Sequence, residues 1–485
     1  MRGNFPPNSE TMVFIPFIFA YLLILVAVGA WRSREVQSQE DFVVAGRRLS
    51  APILAGTLLA TWTGSGSLFN GGRLAYENGF AALWSSAGAW AGIAIVYFIA
   101  RKIRQGGKLS VPDILEDRYD RWVGLAASVT IIISYVTIVS YQFRGGGRII
   151  EIITDGQFSI FGLSTLMSGM IITAVFAIGY TLLAGMVSVT YTDVLNGMVM
   201  LLGIAIAVPF VLHEAGGIET FVANVPEEKW QLFGTMGKTK AFAYLLPTMF
   251  LLMGDASMYQ RFLSAKSGRV AKRAVVGWII GVVVIEFLIV LLAFLGSGLE
   301  TGLTGEEASK IIPLLAMKHV PIVVGCLLLG AMVAIIVSTA DSFLLVPATN
   351  VSHDIYYRFF RPHAGQKELL LVSRLAVLGL GLIAFFMISF FKSILEAAYA
   401  AYTVYGAGIT PALLAAFLWK RASAAGALLS ILGGTVVTIG WEIAARTNGS
   451  DPWGIDAIYP ALALSLMLLV GGSLMWPKEM KETDA

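Results

Sequence analysis

Charged residues are scarce in this chain. Asp, Glu, Lys and Arg make up 13% of its 485 residues, whereas apolar types make up 57%, and the mean hydropathy is +0.76. Soluble globular domains do not have this balance. The net charge of +3 forms no basic patch, so nucleic acid is not an expected partner. The composition predicts an all-α polytopic protein whose partner is the lipid bilayer.

Cysteine and histidine are also rare. The single cysteine, Cys326, lies in an apolar run and excludes a disulfide framework. The four histidines fall at predicted span ends or in loops, which argues against a zinc site or a histidine proton relay. The sequence has no His-Glu-x-x-His, no Gly-x-Ser-x-Gly and no nucleotide-binding loop. We therefore expect neither an enzyme nor a primary pump, and no cofactor.

Long apolar runs are abundant, and they predict thirteen transmembrane helices. Because thirteen is odd, the two termini are expected on opposite sides of the membrane. Most Lys and Arg residues lie after spans one, three, seven, nine and eleven, which predicts an outside N-terminus and a cytoplasmic C-terminus in a plasma or bacterial inner membrane. The predicted spans are 12–31, 51–72, 80–100, 122–143, 162–184, 187–212, 241–260, 274–298, 321–348, 370–391, 395–418, 423–444 and 456–475.

Span nine contains an ionisable residue, Asp341, close to Ser338, Thr339 and Ser342. On a helix, residues 338, 341 and 342 share one face. Hydroxyl and carboxylate oxygens are suitable ligands for a small hard cation, and a carboxylate inside a membrane is a candidate functional group. The alternative is that the hydroxyls bind neighbouring carbonyls and that Asp341 finds a partner at the helix end.

Two predicted spans contain helix-breaking residues at mid-membrane. Span two has the run 59–67 (LATWTGSGS), and span seven has Pro247 followed by 254–257 (GDAS). Each span opens a block of five, residues 51–212 and 241–418. Interrupted helices at matching positions in two halves are typical of inverted-repeat transporters with a midplane site. Close helix packing at the glycines is the alternative.

The remaining parts of the chain are expected to be accessory. Residues 1–50 form an outside tail, the first helix and a cytoplasmic loop, and residues 419–485 form two additional helices and a short cytoplasmic tail. Residues 213–240 form an extracellular loop, either a short surface helix or a lid over a vestibule. Because only the short tail 477–485 follows the last span, no fused signalling module is expected.

Several short stretches occur in a fixed order along residues 40–440. They are 42–49 (FVVAGRRL), 60–62 (ATW), 189–193 (VTYTD), 258–262 (MYQRF), 338–342 (STADS), 411–414 (PALL) and 419–421 (WKR). In these stretches the chain resembles the sodium:solute symporter family, which includes sodium-coupled proline, sialic acid, sugar and choline transporters. The resemblance implies a five-plus-five inverted repeat of the leucine-transporter type, with one helix before it and two after.

The resemblance also implies a principal sodium site between spans two and nine. Its ligands would be the carbonyl oxygens of Ala60, Thr63 and Ile335 and the hydroxyls of Ser338 and Thr339. Some family members have a second ion position. Its matching residues here, which could instead carry a proton, are Asp193, Ser338, Asp341 and Ser342.

The solute site is expected beside the two breaks. Trp62 matches a cage tryptophan of the choline branch, but Asp255 stands where that branch has a second aromatic residue, so the solute stays open among amines, amino acids, sugars and carboxylates. We expect Glu286, Glu396 and Glu442 to snorkel or pair, and Tyr399, Tyr402 and Tyr405 to form a packing face. The predicted substrate-binding residues are Trp62, Thr63, Ser65, Ser67, Met253, Asp255 and Ser257.

The favoured function is a secondary symporter that imports a small polar organic solute with sodium by alternating access. A proton-coupled symporter using Asp193 or Asp341 is the nearest alternative, and a solute sensor on the same fold is another. The solute, the number of sodium ions and the oligomeric state are not determined by the sequence.

Overall fold

The computed structural model describes residues 11–33 and 38–477, and these residues fold almost entirely into helices. Thirteen helical segments follow the predicted spans. In chain order they are α1 Thr11–Ser33, α2 51–78, α3 Leu83–Gln105, α4 Arg121–Ile153, and α5 Thr165–Leu182, α6 Gly185–Glu214, α7 Gly237–Leu263, α8 Gly268–Gly296, α9 Ile322–Phe360, α10 Gln366–Phe390, α11 Ile394–Leu418, α12 Ala424–Asn448 and α13 Ile458–Met475.

Eleven candidate spans in the described ranges are long and apolar enough to cross a membrane, with the second half of α2 counted together with α3. The apolar parts of α1 and of the first half of α2, Val13–Gly29 and Ala51–Trp62, are shorter. The all-helical membrane fold is therefore confirmed, whereas the count of thirteen crossings stays a prediction. The tails 1–10 and 478–485, which the predicted orientation includes, lie outside the described residues.

Helix α9 forms the centre of the bundle. It packs against α1, α2, α4, α6 and α10, and most of its apolar stretch is buried. Every residue from Cys326 to Asn350 is buried except Leu327. A polar side chain on this helix must therefore find its partners inside the protein.

Helix α2 is interrupted near its middle. Its first half, Ala51–Trp62, ends at Thr63, whose backbone is extended (φ −80°, ψ 105°). The Ser65 N–H donates to Gln142 Oε1 at 2.9 Å instead of to a helical carbonyl. A π-helical turn, Gly66–Gly71, then leads into the second half. The break predicted in span two is present, and it leaves backbone carbonyls without their helical partners.

Helix α7 is interrupted at Asp255 (φ −53°, ψ 114°), between the segments Gly237–Gly254 and Ala256–Leu263. The Asp255 carboxylate accepts a hydrogen bond from the Met258 N–H at 2.9 Å, which caps the second segment. The second predicted break is therefore also present.

The two breaks differ in how their backbone carbonyls are used. In α7, hydroxyl groups of the protein donate to the carbonyls at the break. These hydrogen bonds run from Thr410 to Phe250 (2.6 Å), from Tyr405 to Gly254 (2.7 Å) and from Tyr259 to Met253 (3.0 Å). Each of these three carbonyls in α7 therefore has its own hydroxyl donor, whereas at the α2 break one hydroxyl, that of Thr339 in α9, serves the carbonyls of both Thr63 and Ala60.

The segment 213–240 contains a short helix, Gly217–Asn224. A short helix was one of the two forms expected for this segment. The ring of Trp230 packs 5.1 Å from that of Phe294 in α8, and Lys229 Nζ donates to the carbonyl of Tyr76 at 2.6 Å. The segment therefore lies across the ends of α2 and α8.

Candidate functional site

The break in α2 lies against the middle of α9. The hydroxyl oxygen of Thr339 is 3.1 Å from the carbonyl oxygen of Thr63 and 3.5 Å from that of Ala60. Ser338 and Ile335 are buried on the same helix, next to Thr339 and one turn before it. The structure therefore brings together three of the predicted sodium ligands, all of them hard oxygen donors.

Ser338 connects this group to a buried acid. Its hydroxyl donates to Asp193 Oδ1 in α6. The other carboxylate oxygen of Asp193 accepts hydrogen bonds from Thr57 at 2.5 Å and from Thr61 at 3.3 Å, both in the first half of α2. Side chains from α2, α6 and α9 thus meet at one carboxylate.

Arg261 is the cationic partner of Asp193. Its Nη2 lies 3.0 Å from Asp193 Oδ2, and both side chains are 0% exposed. The same nitrogen donates to Ser342 at 2.7 Å, Nη1 donates to the hydroxyl of Ser257 at 2.8 Å, and Nε donates to Thr57 at 3.0 Å. The guanidinium therefore connects α2, α6, α7 and α9 in the interior of the helix bundle.

The position of Arg261 corrects one expectation from the sequence. Span seven was predicted to end at residue 260, which placed Arg261 with the basic residues of the following loop. Instead, the second segment of α7 continues to Leu263, and all of its residues are buried. The predicted second ion position is thus shared with a cation of the protein itself, since Arg261 contacts both Asp193 and Ser342.

Asp341 is also part of the predicted second ion position, but it is not one of the hydrogen-bond partners of the Arg261 guanidinium. It is 1% exposed, and its Oδ1 accepts a hydrogen bond from Thr181 in α5 at 2.8 Å. With one arginine and two aspartates, the group Asp193, Asp341 and Arg261 has a formal charge of −1. One further positive charge would balance it.

A cavity of about 460 Å³ lies beside the α2 break. Its lining includes Trp62, Ser67, Glu286, Tyr399 and Tyr402. A smaller cavity of about 240 Å³ shares Trp62 and Tyr402 with it and reaches Thr339. Together the two cavities connect Trp62 and Glu286 with Thr339, one of the candidate sodium ligands.

The predicted substrate-binding residues divide into two groups. Trp62 and Ser67 line the larger cavity. Ser65, Met253, Asp255 and Ser257 are not among the lining residues of either cavity. Asp255 caps the second segment of α7, and Ser257 binds Arg261, so these residues hold the broken helices together.

Sequence reasoning missed three cavity residues. Glu286 was expected to snorkel or pair, but it is 5% exposed and accepts a hydrogen bond from Trp62 Nε1 at 2.6 Å. Tyr399 and Tyr402 were expected to form a packing face, but both line the cavity. The position of Glu286 well inside α8 was the available sign, because a carboxylate far from either helix end cannot reach the membrane surface.

A wider vestibule of about 830 Å³ adjoins the cavity, and Tyr399 lines both spaces. The Tyr399 hydroxyl shares a hydrogen bond with Ser85 at 2.6 Å, and its ring packs at 5.6 Å from the ring of Tyr402. Tyr399 therefore lies at the boundary between the two spaces. Charged side chains of the vestibule are Arg73, Lys240, Glu396, Glu442, Asp451 and Asp456.

Gly64 allows α2 to approach α9 closely. A Cβ atom at this position would lie 2.9 Å from Gln142 Nε2 and 3.0 Å from Thr339 Cγ2. We expect Gly64→Ala to displace Thr339 and to raise the sodium concentration for half-maximal thermal stabilisation by about tenfold, which corresponds to the loss of about one hydrogen bond to a charged group.

Gly71→Ala is the matched control for this prediction, because a Cβ there would meet only Ile289 at 3.7 Å, an ordinary contact. Equal sodium responses in the two variants would show that the close approach at Gly64 does not matter for the ion.

Three comparisons relate this chain to known proteins. Residues 42–434 match the model of the sodium:solute symporter family. The high affinity choline transporter 1 of Homo sapiens is 26% identical over 90% of this chain and 76% of its own length. Sodium/proline symporter 2 of Staphylococcus saprophyticus is 26% identical over 93% of this chain and 90% of its own length.

The structural comparison concerns the fold. A sodium-coupled sialic acid symporter, solved in a substrate-bound outward-open state, superimposes with a TM-score of 0.79 at 18% identity, covering 97% of this chain and 99% of that one. This likeness confirms the five-plus-five repeat of the leucine-transporter type. Because the family match spans most of the residues and the relatives are transporters, the chain belongs to the sodium:solute symporter family and is a multi-pass membrane protein that imports a small solute by coupling it to sodium.

Proposed function

We propose that the coupling sodium ion binds between α2 and α9, to the carbonyl oxygens of Ala60, Thr63 and Ile335 and the hydroxyls of Ser338 and Thr339. The observation that carries this proposal is the 3.1 Å contact between the Thr339 hydroxyl and the Thr63 carbonyl at the α2 break. Unwound backbone inside a membrane is tolerated where it lines a site, and oxygen donors of this kind bind a hard cation.

Asp193 supports this site through its hydrogen bond with the proposed ligand Ser338. Because the Ser338 hydroxyl donates a hydrogen bond to Asp193, its oxygen can direct a lone pair toward the ion. Outer partners of this kind orient ligands and strengthen them. Arg261 in turn holds the Asp193 carboxylate in place.

Ion and solute are coupled, in this proposal, through the α2 break and Thr339. The break contributes Ala60 and Thr63 to the ion and Trp62 to the solute cavity, and the smaller cavity reaches Thr339. Each ligand would stabilise the arrangement that the other needs, so their affinities would rise reciprocally. Related transporters are named for choline and proline, and a small polar solute is proposed here. In this reading Ser65, Met253, Asp255 and Ser257 support the solute site.

The proposed topology has the N-terminus outside and the C-terminus in the cytoplasm of a plasma or bacterial inner membrane. Repeats 51–212 and 241–418 are then joined by the external segment 213–240. The vestibule contains Lys240, at the end of that segment, and Asp451 and Asp456, from the connection between α12 and α13. Both connections fall on the outside in this topology, so the vestibule is the external entrance.

The formal charge of −1 on Asp193, Asp341 and Arg261 favours a second candidate function, in which Asp341 binds a proton or a second sodium ion.

Thermal unfolding of the purified protein in sodium chloride or potassium chloride separates the two candidate functions. A bound ion raises apparent stability by about 2.7 kcal/mol at 100 times its dissociation constant. We expect stabilisation by sodium and not by potassium, and we expect Asp341→Asn to keep the sodium response within about threefold of its original midpoint, since Asp341 is outside the proposed ligand set.

Two results would overturn this prediction. A wild-type response to acidification alone, lost in Asp341→Asn, would favour proton coupling. A sodium response that disappears in Asp341→Asn would move the ion to the set Asp193, Ser338, Asp341 and Ser342.

A further inference from the structure

Glu286 is a buried carboxylate whose charge has no partner in the described part of the chain. Its Oε1 accepts the hydrogen bond from Trp62, whereas its buried Oε2 has no hydrogen-bond partner. None of the ion pairs among the described residues includes Glu286. Its other polar neighbours, Ser86 and Trp90, are neutral donors. A buried carboxylate without a cationic partner is costly, so a positively charged group of the solute would remove that cost.

The surroundings of Glu286 suit a cation. Aromatic rings of Trp62, Tyr399 and Tyr402 line the same cavity, and the centroids of the Trp62 and Tyr402 rings are 6.1 Å apart. Faces of such rings attract cations. Among the described residues, the lining of both cavities includes no Lys, Arg or His, so an anionic solute would find no positive side chain there.

The entrance has the same preference. Four carboxylates and two basic side chains line the vestibule, and Lys240 is already paired with Asp456. An excess of negative charge in a recess raises the local concentration of cations. A positively charged solute would therefore meet a favourable potential before it reaches Tyr399.

We infer that the transported solute has an ammonium group with at least one N–H, and that Glu286 binds this group as the residue that determines specificity. The N–H follows from Oε2, which accepts no hydrogen bond in this structure, because a quaternary ammonium could lie near the carboxylate but could not donate to it. This inference rests on the proposed symport of a solute in the cavity beside the α2 break, and it adds the solute's chemical class.

The test uses the full-length protein in detergent at saturating sodium chloride. Thermal unfolding is measured with ethanolamine, L-proline, choline, glucose and lactate as probes. We expect ethanolamine or L-proline to raise the unfolding temperature further and the other three probes to leave it unchanged. In Glu286→Gln, the amine concentration for half-maximal stabilisation should rise about 10- to 100-fold, as expected for a lost hydrogen bond between charged groups, while stabilisation by sodium alone persists.

Glu286→Asp serves as the conservative variant and should keep the preference for amines at reduced affinity. Stabilisation by choline, glucose or lactate alone, no response to either amine, or an unchanged amine response in Glu286→Gln would each overturn the inference while leaving the sodium site intact. A wild-type protein that sodium does not stabilise would instead overturn the proposed function, whatever the amines do.

Discussion

Replacing Arg261 with methionine is expected to lower the free energy of unfolding by about 3–5 kcal/mol, because it leaves Asp193 charged and buried without its partner. Thr57, Ser257 and Ser342 would lose a donor at the same time. The measurement is thermal unfolding in detergent, followed by intrinsic tryptophan fluorescence, in the absence of sodium so that ion binding does not contribute.

Two further variants make this prediction specific. Replacing both charges in an Arg261→Met, Asp193→Asn double variant should recover much of the loss, since a buried ion pair often contributes little over a neutral pair. Arg48→Met removes a cation that lies 3.0 Å from Asp41 and whose own side chain is 69% exposed, and it should cost about 1 kcal/mol or less. Equal losses for Arg261→Met and Arg48→Met would contradict the structural role given to Arg261.

Replacing Thr339 with valine is expected to raise the sodium concentration for half-maximal stabilisation by about 10- to 100-fold, the effect of losing one ligand to a charged species. Valine has the shape of threonine, so the contact of α9 with the α2 break is retained and only the hydroxyl is lost. Sodium titrations of thermal stability measure the effect directly.

Thr339→Ser keeps the hydroxyl and should retain sodium binding within about threefold, because side-chain hydroxyls of either residue offer the same lone pairs. If serine and valine at position 339 weakened sodium binding equally, the packing of the threonine methyl group, and not its oxygen, would be responsible. A normal sodium response in Thr339→Val would remove Thr339 from the ligand set.

The helices and their interruptions could be predicted from the sequence because both depend on local chemistry. Long apolar runs define the spans, and the glycines and hydroxyl residues around Gly64 and Gly254 weaken a helix wherever they occur. The contact between Thr63 and Thr339 could be predicted only through the family resemblance, since nothing in the local sequence indicates which distant helix packs against a break.

The partners of Arg261 and Glu286 could not be predicted from the sequence for a related reason. A charged residue inside a span can be recognised as buried, but its partners come from other helices that are distant in the chain. Asp193 is 68 residues from Arg261, and Trp62 is 224 residues from Glu286. The periodic tyrosines of α11 were ambiguous in the same way, since packing faces and cavity walls both favour aromatic rings.

The unequal supply of donors at the two helix breaks limits the symmetry of this transporter. An inverted repeat with identical halves would offer equivalent carbonyl groups on both sides of its pseudo-twofold axis. Here the carbonyls of Phe250, Met253 and Gly254 each accept from a separate hydroxyl of α7 or α11, whereas the carbonyls of Thr63 and Ala60 share the single hydroxyl of Thr339. The two breaks are alike in being interruptions of a helix but not in spare acceptor capacity, which is concentrated in the first of them.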